Sequence, residues 1–452
     1  MRFRSILFAC LGIVAAILPG ETADRKEGPF RDVFTLMEEV DRRSEPGLWP
    51  GFFPRLIPAA VFDGRDTYLF GYGWPPQGFA AVPDRDDVFV LPGRHEIVLG
   101  NRRAKLEGTW IATTIPGYGP VGNHRSKTLA DIAAVVLHEK FHVFQVLRHP
   151  QWRPNDLVLM TYPLDQTGSL ARRRLELEAF RRAVISAAAE DAAAWARTGL
   201  ELRRLRLSTL TPDQAHYERE IQDLEGLAQY IEDRAAGRTG TEEPMADDIA
   251  PRGVRLLGYF EGSWTAHLLD RFDPAWKERL ESGGPDTLDE LLAAALARGR
   301  KAEFTPDELL TAEAAAEADI AARATERRKT ERDFFSRLGY RIELRSAGGR
   351  FRFEMLDAFS FDTLSEKRIF HPLWLTCRTP SGVVRTSGRE CLTEVDDLGR
   401  IDRITLTGIR YRPALTEGWN VPLRLKADSV QIELGKGRVR FQGNLILIDV
   451  GE

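Results

Sequence analysis

Val135-Val136-Leu137-His138-Glu139-Lys140-Phe141-His142-Val143-Phe144-Gln145 is the stretch from which the rest of this 452-residue chain is best read. It carries the pattern His-Glu-x-x-His inside an apolar segment. Residues four apart share one helical face, so His138 and His142 can offer two imidazole nitrogens to the same metal ion. Glu139 then stands beside that ion. Zinc held by few protein ligands keeps a water and lowers its pKa, and a carboxylate at the second motif position can take that water's proton. Leu129 to Leu147 contains neither Gly nor Pro. Thr128, with Asp131 three residues on, reads as a helix N-cap. The alternative is an amphipathic helix with two incidental histidines, which would leave polar rings among Val and Phe without compensation.

Working back from the motif, residues 29–127 are rich in aromatics, Gly and Pro. Short runs at Asp66–Gly71, Asp87–Leu91 and Gly108–Pro116 read as strands joined by turns. Thr109 to Ile115 is the nominee for an exposed edge that would hold an extended peptide, with a covered interior strand as the alternative. Further back, Arg2 and Arg4 precede an uncharged run, Ile6 to Leu18, and a polar end to Ala23. This reads as a secretory signal peptide over residues 1–23, with an uncleaved anchor as the alternative, so the protein is expected in the periplasm or secreted. Cys10 is taken as part of the apolar run.

The remainder carries a formal charge of -5, which argues against a nucleic-acid partner. No later segment reaches the length of a membrane span. Cys377 and Cys391 remain after the signal; they are expected either as a disulfide across a hairpin or as two buried thiols.

Working forward, residues 129–338 read as helical: Leu170–Leu207, Pro212–Ala236, Val254–Asp270 and Thr305–Leu338, with an exposed loop at 237–251. From Gly339 the pattern turns to alternation, as in Arg341–Arg345, Arg403–Thr407 and Ser429–Leu434. Residues 339–452 are therefore expected as an antiparallel sandwich or barrel. The expected class is α+β, in three parts after the signal: a β-rich segment (24–128), a helical catalytic region (129–338) and the C-terminal β-domain.

Two histidines need a third ligand. In a His-Glu-x-x-His-x-x-Gly-x-x-His pattern, residues 145 and 148 would be Gly and His; they are Gln145 and Arg148, and His149 is one place out of register. A carboxylate on a following helix is the stronger choice. Glu225 borders the apolar stripe Ile221, Leu224, Ala228 and Ile231, with small neighbours Gly226 and Ala228 that would permit close helix approach. Glu176 and Glu178 compete, although their arginine neighbours favour ion pairs.

With these residues in hand, the chain resembles the gluzincin zinc metallopeptidases. The resemblance rests on His138-Glu139-Lys140-Phe141-His142, on Glu225-Gly226-Leu227-Ala228-Gln229-Tyr230, and on Tyr259-Phe260-Glu261-Gly262-Ser263-Trp264-Thr265-Ala266. It covers residues 109–295. It implies that His138, His142 and Glu225 bind Zn2+, that Glu139 is the general base, and that the substrate is a peptide or protein. The interval between His142 and Glu225 is far longer than in compact members of the group, which keeps Glu178 in play. Tyr259 is the first candidate for a donor to the developing oxyanion and Tyr230 the second, with packing as the alternative role for either. Trp264 and Glu261 are expected to line the same helix without a catalytic part. The rival functions are a binding or scaffold protein without turnover, which would not need Glu139, and a zinc hydrolase of a non-peptide amide or ester.

Overall fold

The computed structural model describes residues 32–44, 47–116, 128–240, 251–283, 287–346, 351–355, 358–396, 400–427 and 429–450. The signal segment and most of the loop at 237–251 lie outside them. The chain is α+β: an N-terminal sheet, a central helical body and a C-terminal pair of sheets. Among the described residues no helix is long and apolar enough to cross a membrane.

The first described element is a helix that composition did not suggest, α1 (Val33–Arg43), started by the Asp32 side chain accepting from the Thr35 amide. Six strands follow: β1 (Ala59–Phe62), β2 (Asp66–Phe70), β3 (Ala80–Ala81), β4 (Val88–Pro92), β5 (Arg102–Leu106) and β6 (Thr109–Thr114). They form one sheet in the order β3-β4-β2-β1-β6-β5. The strand nominated as an edge, β6, is therefore interior, parallel to β1 on one side and antiparallel to β5 on the other. Among the described residues the edge strand beside it is β5. Strand order depends on pairing between distant segments, which no local pattern reveals.

The motif helix α2 (Leu129–Arg148) starts at the expected cap, with Thr128 and Asp131 forming a reciprocal capping box. It packs on β5, β6 and α1. Almost every residue from Ile132 to Gln145 is buried, so this is a core helix with no solvent face over that length. The expected long helix at 170–207 is instead a hairpin of α3 (Thr167–Ile185) and α4 (Ala189–Leu207). Arg271 donates to the carbonyls of Ser186 and Ala187 at the break. A Cβ on Gly199 would lie 2.9 Å from the Phe180 ring, so the two legs meet closely where only glycine fits.

Next come α5 (Pro212–Ile221), a single π-helical turn at Gln222–Gly226, and α6 (Leu227–Ala236) running on from it. They are followed by α7 (Pro251–Phe272), α8 (Trp276–Glu281), α9 (Leu288–Leu296) and the 30-residue α10 (Pro306–Phe335). α6 packs along α2, and α7 covers both α6 and the π-turn. One apolar core joins α1, α2, α6 and α7, with Trp49, Phe141, Tyr230 and Trp276 at its centre.

The C-terminal strands are β7 (Tyr340–Arg345), β8 (Arg352–Met355), β9 (Asp362–Ser365), β10 (Arg368–His371), β11 (Trp374–Thr379), β12 (Gly382–Ser387), β13 (Cys391–Val395), β14 (Ile401–Ile409), β15 (Gly418–Asn420), β16 (Leu423–Ala427), β17 (Val430–Leu434), β18 (Gly437–Gln442) and β19 (Leu445–Val450). They form an eight-stranded sheet, β15-β18-β19-β7-β14-β13-β10-β9, and a five-stranded sheet, β16-β17-β12-β11-β8. All pairings are antiparallel except β19 with β7. The two sheets share a core that also takes in Tyr162, Tyr217 and Val254 from the helical region. Cys377 and Cys391 are buried free thiols. They stand on β11 and β13, in different sheets, so the disulfide across a hairpin does not form.

Candidate metal centre

The spacing on α2 turns both imidazoles to one side, with ring centroids 4.7 Å apart. Glu225 meets them from the π-turn. Its Oε2 lies 3.2 Å from Nε2 of His142 and 3.9 Å from Nε2 of His138. His138, His142 and Glu225 form a buried group whose donor atoms all lie within 4.8 Å of one another, and this group could hold a metal ion. Bonds of about 2.0–2.1 Å to a tetrahedral ion put ligand atoms roughly 3.3 Å apart, close to the spacing found here.

The π-turn explains how Glu225 arrives. An extra residue in the turn frees backbone carbonyls that an α-helix would use, and such turns concentrate at functional positions. Gln145 takes two of them: its Nε2 donates to the carbonyls of Asp223 and Leu224, each at 2.9 Å. The other end of the same amide, Oε1, lies 2.7 Å from Nδ1 of His142. An amide oxygen only accepts, so His142 carries its proton on Nδ1 and leaves Nε2 with a lone pair toward Glu225. The residue that departs from the Gly-x-x-His pattern is thus the one that ties α2 to the turn that carries Glu225.

The remaining supports are equally local. Nδ1 of His138 faces Oε2 of Glu232, seven residues beyond Glu225, at 3.2 Å. Arg255, on α7, bonds Oε1 of Glu225 and reaches Asp156 with its other nitrogen at 3.0 Å. That leaves Oε2 of Glu225 facing the histidines without a hydrogen-bond partner. Oε2 of Glu139 is likewise buried and unpartnered. Tyr259 stacks on His138 with the rings 17° apart, and burial together with the nearby Glu225 carboxylate holds its phenol well above the usual range.

Burial alone pushes the Glu139 carboxyl up, and Glu225 and Glu232 add to the rise despite opposing His138, bringing it to about 8. Burial pulls His138 down, but Glu232, Glu139 and Glu225 overcome it and carry the ring to about 9. Burial holds His142 below its usual value. Glu225 is kept well below the usual carboxylate range against the cost of burial, chiefly by Arg255 and His142. Glu225 and Glu232 are each paired with an arginine, Arg255 and Arg238, whereas Glu139 has no lysine or arginine partner among the described residues.

The other sequence candidates lie elsewhere. Glu178 pairs with Arg181 and Arg182, both at 2.7 Å. Glu176 is buried between Arg203 and Arg206. His149 bonds Glu281 at 2.8 Å and stacks on Trp152. Tyr230 donates to Asp270 at 2.6 Å within the core, Glu261 joins Arg173, and Trp264 is buried with its Nε1 on the Gly240 carbonyl. Gly226 does permit a close approach, but to α7 and not to the motif helix: a Cβ there would sit 2.5 Å from Cα of Gly262. Arg255 and Glu232 went unnoticed in the sequence. Their only signal was position, Arg255 one turn before Tyr259 and Glu232 seven residues after Glu225.

No protein-family model, no curated protein and no solved structure matches the chain.

Proposed function

We propose that the protein is a zinc-dependent hydrolase of the gluzincin kind that cleaves peptide bonds. The observation that carries this reading is the unpartnered Oε2 of Glu139, buried beside the convergent His138, His142 and Glu225. A bundle that merely needed stability would not leave a carboxylate oxygen unsatisfied in its interior, where each such group costs about 1–3 kcal/mol or more. Zinc held by the two imidazoles and Glu225 would supply a polarised carbonyl and a water of lowered pKa.

The chain's own residues do the rest. Glu139 accepts a proton from the attacking water at its free oxygen and returns it to the leaving amine nitrogen. Gln145 and Glu232 face the Nδ1 atoms and keep both Nε2 atoms turned to the centre. Arg255 fixes which oxygen of Glu225 faces the histidines. Tyr259 brings a phenol hydroxyl to the same point, where it can donate to the oxygen on which charge develops.

The test is Glu139→Gln, assayed for peptide-library cleavage and metal content together. The variant keeps its zinc and loses hydrolysis by about a hundred- to ten-thousand-fold. Wild-type turnover in the variant overturns the mechanism. A zinc-loaded wild type that cleaves no peptide overturns the peptidase reading in favour of a non-peptide substrate or a binding role.

A further inference from the structure

Beside the metal centre lies a cavity of about 540 Å³ that shares Leu224 and Arg255 with the walls of the site. Its cationic lining comes from three separate segments: Arg103 on the edge strand β5, Arg153 in the turn after α2, and Arg255 on α7. The C-terminal domain closes it with Phe353 and Glu354 of β8.

Two of the charges in this lining are already engaged. Arg255 is bound to Glu225 and Asp156, and Glu354 to Arg378. Arg103 and Arg153 are not: neither has a carboxylate within 4.0 Å among the described residues. Arg103 is half-buried, directly opposite Ala112 of β6. Arg153 is exposed, so neither guanidinium is tied up by the fold and both are open to an anion from solution. Arg103 is close enough to Glu225 and Glu139 for their charges to act on it, so the cavity adjoins the candidate centre.

We infer that this cavity is a carboxylate-binding subsite and that the substrate is an acidic peptide, its carboxylate held by Arg103 and Arg153. The inference rests on the peptidase reading for the identity of the ligand. Arginine presents a planar fork that matches a carboxylate, and Pro154, Leu157 and Phe353 offer apolar wall for the carbon chain that bears it. A peptide lying along β5 would pass Arg103 on its way to Glu139, because β5 is an edge strand of the sheet among the described residues and α2 packs directly against it. Either a C-terminal carboxylate or an Asp or Glu side chain supplies this chemistry.

The experiment uses the full chain carrying Glu139→Gln, loaded with zinc, and fluorescein-labelled hexapeptide pools in three forms. One has no acidic residue and an amidated C-terminus, the second no acidic residue and a free C-terminus, and the third internal Asp or Glu with an amidated C-terminus. One carboxylate-bearing pool binds roughly ten- to a hundred-fold more tightly than the neutral pool, as a charge-assisted pair does, and which of the two does so identifies the source. Adding Arg103→Gln and Arg153→Gln levels the pools, while Arg103→Lys with Arg153→Lys restores part of the preference. Equal binding of all pools, no binding of any, or a preference that survives the double Gln variant overturns the inference. The parent reading fails separately: carboxylate-dependent binding without any hydrolysis by the wild type leaves the subsite standing and removes the peptidase, and hydrolysis indifferent to carboxylates does the reverse.

Discussion

Gln145 fixes the tautomer of His142: its Oε1 stands 2.7 Å from Nδ1 while its Nε2 is spent on two carbonyls of the π-turn. One side chain thus orients an imidazole on α2 and holds the turn that presents Glu225. Gln145→Leu preserves volume and removes both functions. The expected result is a fall in zinc affinity on the order of ten- to a hundred-fold, as for loss of an outer-shell partner, read by competition with a chromogenic chelator. Unchanged affinity would show that the geometry of the turn is maintained by α7 alone.

Glu225 and Glu178 separate cleanly. Glu225 is buried against both histidines, whereas Glu178 spends its oxygens on Arg181 and Arg182 at a half-exposed surface. Glu225→Ala should lose zinc on elemental analysis, and His142→Ala should do the same. Glu178→Ala should keep it, with a stability change of about 1 kcal/mol or less, the range of exposed ion pairs. Zinc retained in Glu225→Ala would remove the third ligand and with it the His-His-Glu centre.

The parts of this architecture that were legible in the sequence are those fixed by short-range pattern. Thr128 and Asp131 announce the start of α2, the i, i+4 spacing sets His138 and His142 on one side, and the small residues after Glu225 mark close helix packing. Period-two runs such as Arg341–Arg345 and Ser429–Leu434 appear as β7 and β17. What was missed is set by contacts distant in sequence. The break at Ser186–Ala188 is stabilised by Arg271, and the edge passes from β6 to β5 because β6 lies between β1 and β5. Arg255 reaches Glu225 from another helix, and nothing around residue 255 in the chain signals that contact.

The closeness of α7 to the π-turn leads to a test at a residue that touches no ligand. Gly258 and Gly262 present bare backbone to Ile221, Gln222 and Gly226; a Cβ on Gly262 would lie 2.6 Å from the Gln222 carbonyl oxygen and 2.7 Å from Cα of Gly226. Backbone cannot yield as a flexible side chain does, so Gly262→Ala must push α7 away from the turn. Overpacking of this kind costs about 1–3 kcal/mol. It also moves Arg255 relative to Glu225. The thermal midpoint should fall and zinc affinity with it, whereas Gly168→Ala, at a position with open space around it, should leave both unchanged.

Acid should weaken the C-terminal sheets through one buried histidine, away from the candidate metal centre. His371, on β10, is fully buried, with Nε2 2.9 Å from the Thr393 hydroxyl and its ring packed near Phe353. Burial drives its pKa down to about 3, against about 6.5 in an unfolded chain. Above pH 6.5 the ring is neutral in both states and does not affect the balance. Below it the unfolded chain takes up a proton that the folded domain refuses, so stability falls by about 1.4 kcal/mol per pH unit until the folded pKa is reached. Between pH 7 and pH 5 the loss from this one residue is about 2 kcal/mol. Urea unfolding of wild type and His371→Asn at both pH values isolates it. The variant is less stable at pH 7, through lost packing, but its midpoint should change less on acidification by an amount equivalent to that loss. Parallel pH dependence in the two proteins would mean that His371 is protonated within the fold, and that Thr393 and its surroundings accommodate the charge.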